Sequence, residues 1–403
     1  MLSQRILRLE RLKNACFRSC ATAPTTAKAA PTQTPEALKR FIVDKIRATG
    51  PISVAEYMRL AIRAPVVGYY SGFAKDEKEV FGSKGDFVTS PELTSIFGEL
   101  LGVWCYVELQ NTGYQGPWAL IENGPGTGQL MLDMLSSLRK LKAANFSVHL
   151  VETSAALIAE QELKLCGQNS GDTAESDAGY LRKNVTKEGI PVYWYNDVED
   201  IPEQFSVFVS NEYLDALPIH QFKRNLSGKW SEIYVNIDPN NDLVFMESRG
   251  DNLHTRIRTN GGFCLMIDYG HDGDRKDFSL RAYSKHKLVN PLSAPGTVDL
   301  TADVNFGHLK SLVEDRVLTY GPQTQREFLG QLGIQVYLRS ALHRLGTMEK
   351  QEQLLGACDF LMNEMGQKFK AVALFPKTLQ EILEKRGGPT GFAGLDEKPV
   401  NQK

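Results

Sequence analysis

The residues best placed to do chemistry begin at Glu122-Asn123-Gly124-Pro125-Gly126-Thr127-Gly128, an acid two positions ahead of three alternating glycines. A glycine-rich turn lets a ligand lie close to the main chain, and the start of a following helix can receive a negative group. Two common nucleotide cradles are excluded. A phosphate-binding loop needs Gly-Lys-Ser/Thr, but Gln129 and Leu130 follow the last glycine. The nicotinamide fingerprint needs a glycine where Gln129 stands. Glu152 ends the next apolar run, 24 residues past Gly128, where an acid can accept hydrogen bonds from both hydroxyls of a ribose. Asp197 follows a third run and is placed to meet an adenine amino group. Bland readings stand beside these: a structural strand-to-helix turn, a solvated strand-end acid, and a polar loop.

The acid followed by GxGxG resembles the first motif of class I S-adenosylmethionine-dependent methyltransferases, whose turn packs against the methionine and ribose portion of the cofactor. Methyl transfer at a sulfonium carbon mainly requires a lone pair held in line. Arginine is a demanding acceptor, because its guanidinium pKa of about 12.5–13.8 means the attacking nitrogen must shed a proton. Carboxylates must first orient the cation. Ser210-Asn211-Glu212-Tyr213-Leu214-Asp215 supplies a candidate pair, Glu212 and Asp215, with Tyr213 shaping the pocket. The same acids could simply sit in the first turn of a helix capped by Asn211. Asp268-Tyr269-Gly270-His271 ends a further strand, and His271 could relay a proton or be a structural hydrogen-bonding residue. Gly85–Ser90 reads as a lid over the cofactor or as an ordinary loop and cap.

These groups need elements to hold them. Trp118–Glu122, Phe146–Glu152, Val192–Asn196, Phe205–Ser210 and Phe263–Asp268 are short apolar runs separated by helical spacing. Strands alternating with helices imply a parallel, doubly wound α/β sheet, with Phe369–Leu374 as a closing strand. Residues 219–247 lack an intervening helix, which predicts an antiparallel hairpin excursion. Two helices precede the sheet, the second opened by a Ser53/Glu56 capping box, and a third, apolar all round, runs to about Gln110.

Composition narrows the function classes. The 403 residues are 42% apolar, ample for a large packed core, and 46 Lys plus Arg against 48 Asp plus Glu leave no global positive charge for nucleic acid. No apolar run approaches the roughly 18 residues of a membrane span. Charge is concentrated at one end: residues 1–35 carry +5 of a whole-chain −2, so the remainder carries −7. Arginines interleaved with Leu and Ile, followed by Ser, Thr and Ala, form the pattern of a mitochondrial transit peptide; a disordered basic arm is the alternative. The six cysteines lack the CxxC pairing of a zinc site, so no metal is expected, and they read as buried thiols.

Taken together, GDFVTSPE at 85–92, ENGPGTG at 122–128, NEYLDALPIHQF at 211–222, IDYGH at 267–271 and DLTADVNF at 299–306 resemble the MidA family of mitochondrial protein arginine methyltransferases, over about residues 36–376. The resemblance implies a class I methyltransferase fold, S-adenosyl-L-methionine as donor, the mitochondrial matrix as location, and symmetric dimethylation of an arginine in a core complex I subunit of the 49-kilodalton type. Asn123 departs from it, standing where an apolar residue is expected. The expected domains are 1–35 transit peptide, 36–110 helical N-terminal region and lid loop, 111–376 methyltransferase domain with insertions, and 377–403 C-terminal helix and frayed tail. A non-catalytic assembly chaperone of the same fold and a nicotinamide oxidoreductase are the rival readings, the second disfavoured by Gln129.

Overall fold

A computed structural model describes residues 35–63, 68–69, 89–168, 179–224, 230–247, 262–275, 277–285, 287–313 and 317–392. The transit segment before Pro35 and the first part of the lid reading, Gly85–Val88, lie outside the described residues.

Eight strands form the main path of one sheet: β1 (Trp118–Asn123), β2 (Phe146–Val151), β3 (Arg182–Val185), β4 (Pro191–Tyr195), β5 (Phe205–Asn211), β6 (Gly262–His271), β7 (Val317–Thr324) and β8 (Phe369–Pro376). Their spatial order is β7-β8-β6-β5-β1-β2-β4-β3, with Val304–Asn305 added beside the end of β6. From β4 to β6 every neighbour is parallel, whereas β8 runs antiparallel to β6 and β7, and β3 to β4. This is the doubly wound sheet expected from the alternation of apolar runs and helical spacing. The chain winds outward from β1 through β2 to β4, then returns to place β5 on the other side of β1. Ligands bind at such a switch point, beyond the carboxyl ends of the strands. β1 is buried almost throughout, as a central parallel strand must be.

Helices cover both faces. Ser95–Thr112 has only a weak amphipathic bias and buries ten residues, including Phe97, Leu101 and Trp104. It crosses Gln129–Lys140 closely because Gly98 and Gly102 face Asp133 and Ser137. The third helix expected from the sequence is thus two pieces, Ser90–Leu93 and Ser95–Thr112, broken where the Thr94 side chain accepts the Ile96 N–H.

A second core lies apart from the sheet. Helices Pro35–Thr49 and Val54–Arg63 bury Ile42, Tyr57 and Met58 against Ile233 and Val235 of the inserted antiparallel strands Gln221–Arg224, Trp230–Ile237 and Leu243–Glu247. Helix Ser95–Thr112, grouped with the N-terminal region on the sequence, packs in the main core instead. The C-terminal segment also differs from expectation, since residues 387–392 are pinned rather than frayed. Trp104 Nε1 donates to Thr390 O (2.7 Å), Thr390 N–H donates to Glu108 Oε1 (2.9 Å), and Phe392 is buried. Cys105, Cys166 and Cys358 are buried free thiols, and Cys264 is half-buried. Among the described residues, no helix is long and apolar enough to cross a membrane.

Candidate active site

The glycine turn leaves β1 with positive φ at all three glycines, +66° at Gly124, +52° at Gly126 and +78° at Gly128, a region that side chains rarely adopt. Gly128 N–H closes the turn on Pro125 O (2.7 Å) and begins helix Gln129–Lys140. The space beside Gly124 is not left for a ligand. A Cβ there would lie 2.3 Å from Tyr213 Cδ2, so the missing side chain seats the protein's own tyrosine ring. The ligand space opens alongside the turn, as a cavity of about 270 Å³ at the carboxyl ends of β1, β2, β4 and β5.

Its wall contains five acids, Glu92, Glu122, Glu152, Asp197 and Glu212, and no Lys, Arg or His among the described lining residues. A pocket of this kind favours a cation and disfavours phosphates. Glu122 is 2% exposed with Oε2 unpartnered, and burial pushes its carboxyl up to about 8. Asn123 Oδ1, Ser210 Oγ and Asn211 Oδ1 are likewise buried without partners. Buried polar atoms are normally satisfied, so the three orphans on the cavity wall, those of Glu122, Asn123 and Asn211, mark a place where a polar ligand belongs. Asn123, out of place as a strand residue, supplies one of them.

Glu152 receives the N–H groups of Thr153 (2.7 Å) and Ser154 (2.8 Å) on Oε1 and the Gln161 amide (3.4 Å) on Oε2. Gln161 also donates to Gly126 O (2.7 Å) and accepts from Trp194 Nε1 (2.9 Å), so one buried helix residue ties the glycine turn to Glu152. Asp197 lines the cavity while its Oδ1 accepts the Glu199 N–H (3.0 Å), capping a short 3-10 turn. Gly128 serves the helix start rather than the cavity wall.

Glu212 follows β5 directly and faces the cavity. Its Oε1 accepts the Ser90 N–H (2.8 Å) and the Asn211 amide (3.3 Å). Desolvation, opposed by the Ser90 bond and reinforced by the charge of Asp215, raises its pKa to about 7. The proposed partner behaves differently. Asp215 is absent from the cavity wall, and its Oδ2 accepts the Thr301 hydroxyl while its carbonyl accepts Ala302 N–H (2.9 Å). The turn has carried it to the far side, against the 299–306 segment. His271 is also off the wall; its Nδ1 accepts the Gly273 N–H (3.0 Å), a loop-stabilising bond. The geometry therefore unites Glu122, Gly124, Gly126, Glu152, Asp197 and Glu212, and leaves Asp215 and His271 outside.

Sequence reasoning missed several groups. Ser90, the last residue of the lid reading, donates its N–H to Glu212, while Glu92, two residues on and given no role by the sequence, accepts the Thr127 hydroxyl on Oε1 (2.5 Å). Gln161 gave no local signal, because its partner Gly126 is 35 residues away, and Asp268 was legible only as a strand-end acid beside His271, its bond to Leu214 spanning 54 residues.

The S-adenosyl-L-methionine-dependent methyltransferase family model matches residues 100–259 and 251–323. This chain belongs to that family. As a member of it, the chain is 52% identical over 396 residues to the Caenorhabditis elegans protein arginine methyltransferase NDUFAF7 homolog, mitochondrial, covering 90% of this chain and 92% of the relative. The human mitochondrial protein arginine methyltransferase NDUFAF7 is 38% identical over 372 residues, covering 84% and 83%. A Burkholderia thailandensis structure bound to S-adenosyl-homocysteine superposes with a TM-score of 0.67 at 25% identity, covering 88% of this chain and 95% of that one. The resemblance carried by the five motifs and the class I fold it implied are both met by these methyltransferases.

Proposed function

We propose that this chain is a mitochondrial protein arginine methyltransferase that binds S-adenosyl-L-methionine in the acid-walled cavity and docks a substrate arginine against Glu212. The carrying observation is the wall itself: five carboxyl groups, no cationic side chain among the described lining residues, and a fully buried Glu122 oxygen without a partner. Donor and acceptor are both cationic, and the residues present suit both. Glu122 would meet the positive methionine end, the main chain of the Gly124–Gly126 turn would border it, Glu152 would receive ribose hydroxyls, and Asp197 would serve the adenine end. When bound, the cofactor supplies an electrophilic methyl group.

The chain's own work falls on Glu212. Held on one oxygen by Ser90 and Asn211, the carboxyl orients a guanidinium, and with a pKa near neutrality it can take the proton that the attacking nitrogen must lose. Tyr213, fixed against Gly124, and Leu217 line the cavity beside it. Symmetric dimethylarginine as product, a core complex I subunit of the 49-kilodalton type as substrate, and the matrix as location extend this reading on the strength of the motif resemblance. They are tested by incubating the protein with isotopically labelled S-adenosyl-L-methionine and that subunit, and sequencing the digest by mass spectrometry. Label in one symmetrically dimethylated arginine is expected. Tight cofactor binding with no label in any arginine would overturn the enzymatic reading in favour of an assembly chaperone.

A further inference from the structure

The turn bearing Glu212 is gripped from behind by a side chain that never reaches the cavity. Asp268, in β6, is 1% exposed, and its Oδ2 accepts three successive N–H groups, those of Tyr213 (3.1 Å), Leu214 (2.9 Å) and Asp215 (3.3 Å). Its Oδ1 accepts the Tyr269 N–H (2.8 Å). Successive N–H groups converging on one point make a nest, and here an oxygen of the protein's own carboxyl fills it, although burial and the neighbouring Asp215 and Glu212 carboxyls push that group's pKa up. The residue in front of the nest is Glu212, at φ +49°, a conformation that a non-glycine residue keeps only when its surroundings impose it. Glu212 N–H is itself taken by Ile267 O (2.9 Å), so two consecutive residues of β6 hold the turn on both sides of the strained position.

The surroundings keep this carboxyl out of reach of substrate. Asp215 and Glu212 face it from the turn, and Tyr269 follows it on the strand. Arg281 lies 5.1 Å over the Tyr269 ring and bonds to Asp303. The 299–306 segment completes the back wall through the bond from Thr301 to Asp215.

We propose that Asp268 is a positioning residue for methyl transfer: by gathering the N–H groups of residues 213–215 it sets the backbone at Glu212 and aims that carboxyl into the cavity. This rests on the role proposed for Glu212 above. A purely structural role would lower stability, cofactor binding and turnover together. A positioning role separates them, and it acts through Glu212 alone.

The test uses the full-length protein with Asp268→Asn, Glu212→Gln and the double variant. In Asp268→Asn, amide hydrogen exchange at Tyr213–Asp215 should accelerate at least about tenfold while β1 and β2 keep their protection. S-adenosylhomocysteine binding by calorimetry should stay within about threefold, and single-turnover methyl transfer should fall about 100-fold, the scale of a misplaced reacting group. The double variant should be no slower than Glu212→Gln, because the second change removes an effect already lost. Multiplying losses would overturn the assignment. Should Asp268→Asn fail to fold, Asp268→Glu keeps the carboxyl and displaces the acceptor oxygens by one methylene; wild-type transfer in that variant would equally refute it. Absence of arginine methylation by the unaltered protein overturns the function proposed above, whereas retained protection of residues 213–215 in Asp268→Asn overturns the present assignment whatever the unaltered protein does.

Discussion

Two acids in one cavity carry raised pKa values and serve different ends. Glu122 lies at the floor without a partner for Oε2, and burial alone accounts for its value near 8. Its proton is bound more tightly in the folded chain, so its stabilising effect is full below about pH 4.3 and is lost as pH rises through about 8. Glu122→Gln removes that loss. Its melting temperature at pH 9 should exceed that of the unaltered protein by about 2 °C or more, while S-adenosylmethionine affinity falls, an opposition of stability and function common at binding sites. Scanning fluorimetry and calorimetry measure the two effects, and a variant that is neither more stable at pH 9 nor weaker in binding would remove Glu122 from the site. In the proposed mechanism the Glu212 carboxylate, near 7, orients the guanidinium, so kcat/KM should rise with pH through about 7. Glu212→Gln should abolish that limb and slow turnover by about 10²- to 10⁴-fold with cofactor binding within a few-fold. An unchanged pH–rate profile would reduce Glu212 to a turn residue.

At the scale of elements, two glycines set how closely parts approach. Gly124→Val combines a strained φ with a collision against the Tyr213 ring, so cofactor binding should be lost and stability should fall by about 1–3 kcal/mol. Equilibrium dialysis and chemical unfolding check both, and intact affinity would contradict the cradle. Gly102 works far from the chemistry. A Cβ there would meet Ser137 Oγ at 2.2 Å and the Met134 backbone at 2.8–2.9 Å, and backbone cannot swing away. Gly102→Val should therefore destabilise by about 1–3 kcal/mol through helix separation. Cofactor affinity, measured where the variant is still folded, should stay near normal, since the collision falls on Met134 and Ser137, at least a turn beyond Gln129 and Leu130, the cavity residues of that helix.

Among the described residues, two large cores and a small third one around Val304, Phe306 and Val372 make up the packed interior, and the two large ones both reach the cavity. Ile62, on helix Val54–Arg63 of the smaller of these two, reaches the cavity wall, so the N-terminal region and the inserted strands shape the ligand space as well as decorating the sheet. The C-terminal segment packs into the larger core through Leu383 and Phe392. Glu108 is fully buried and accepts two Arg386 bonds (3.2 and 3.0 Å) and the Thr390 N–H. Ending the chain after Arg386 removes Phe392 from the core and one partner from Glu108, which should cost about 3–5 kcal/mol. A truncated protein with an unchanged unfolding midpoint would show that the segment is not part of the core.

The sequence alone determined what depends on neighbours in the chain. Alternating apolar runs and helical spacing specified the doubly wound sheet, and Gly124, Gly126 and Gly128 marked its turn, because φ preference and hydrophobic period are local properties. Acids at strand ends were legible for the same reason, which is why Glu122, Glu152, Asp197 and Glu212 reach one cavity. Only the tertiary structure decided where side chains of that turn point. Asp215 and Glu212 are three positions apart and look alike on paper, yet one faces the ligand space and the other Thr301, 86 residues on. Direction is set by contacts across strands, such as Asp268 with the 213–215 amides and Tyr213 with Gly124. Sequence spacing says nothing of those contacts, because they form only when β1, β5 and β6 lie side by side.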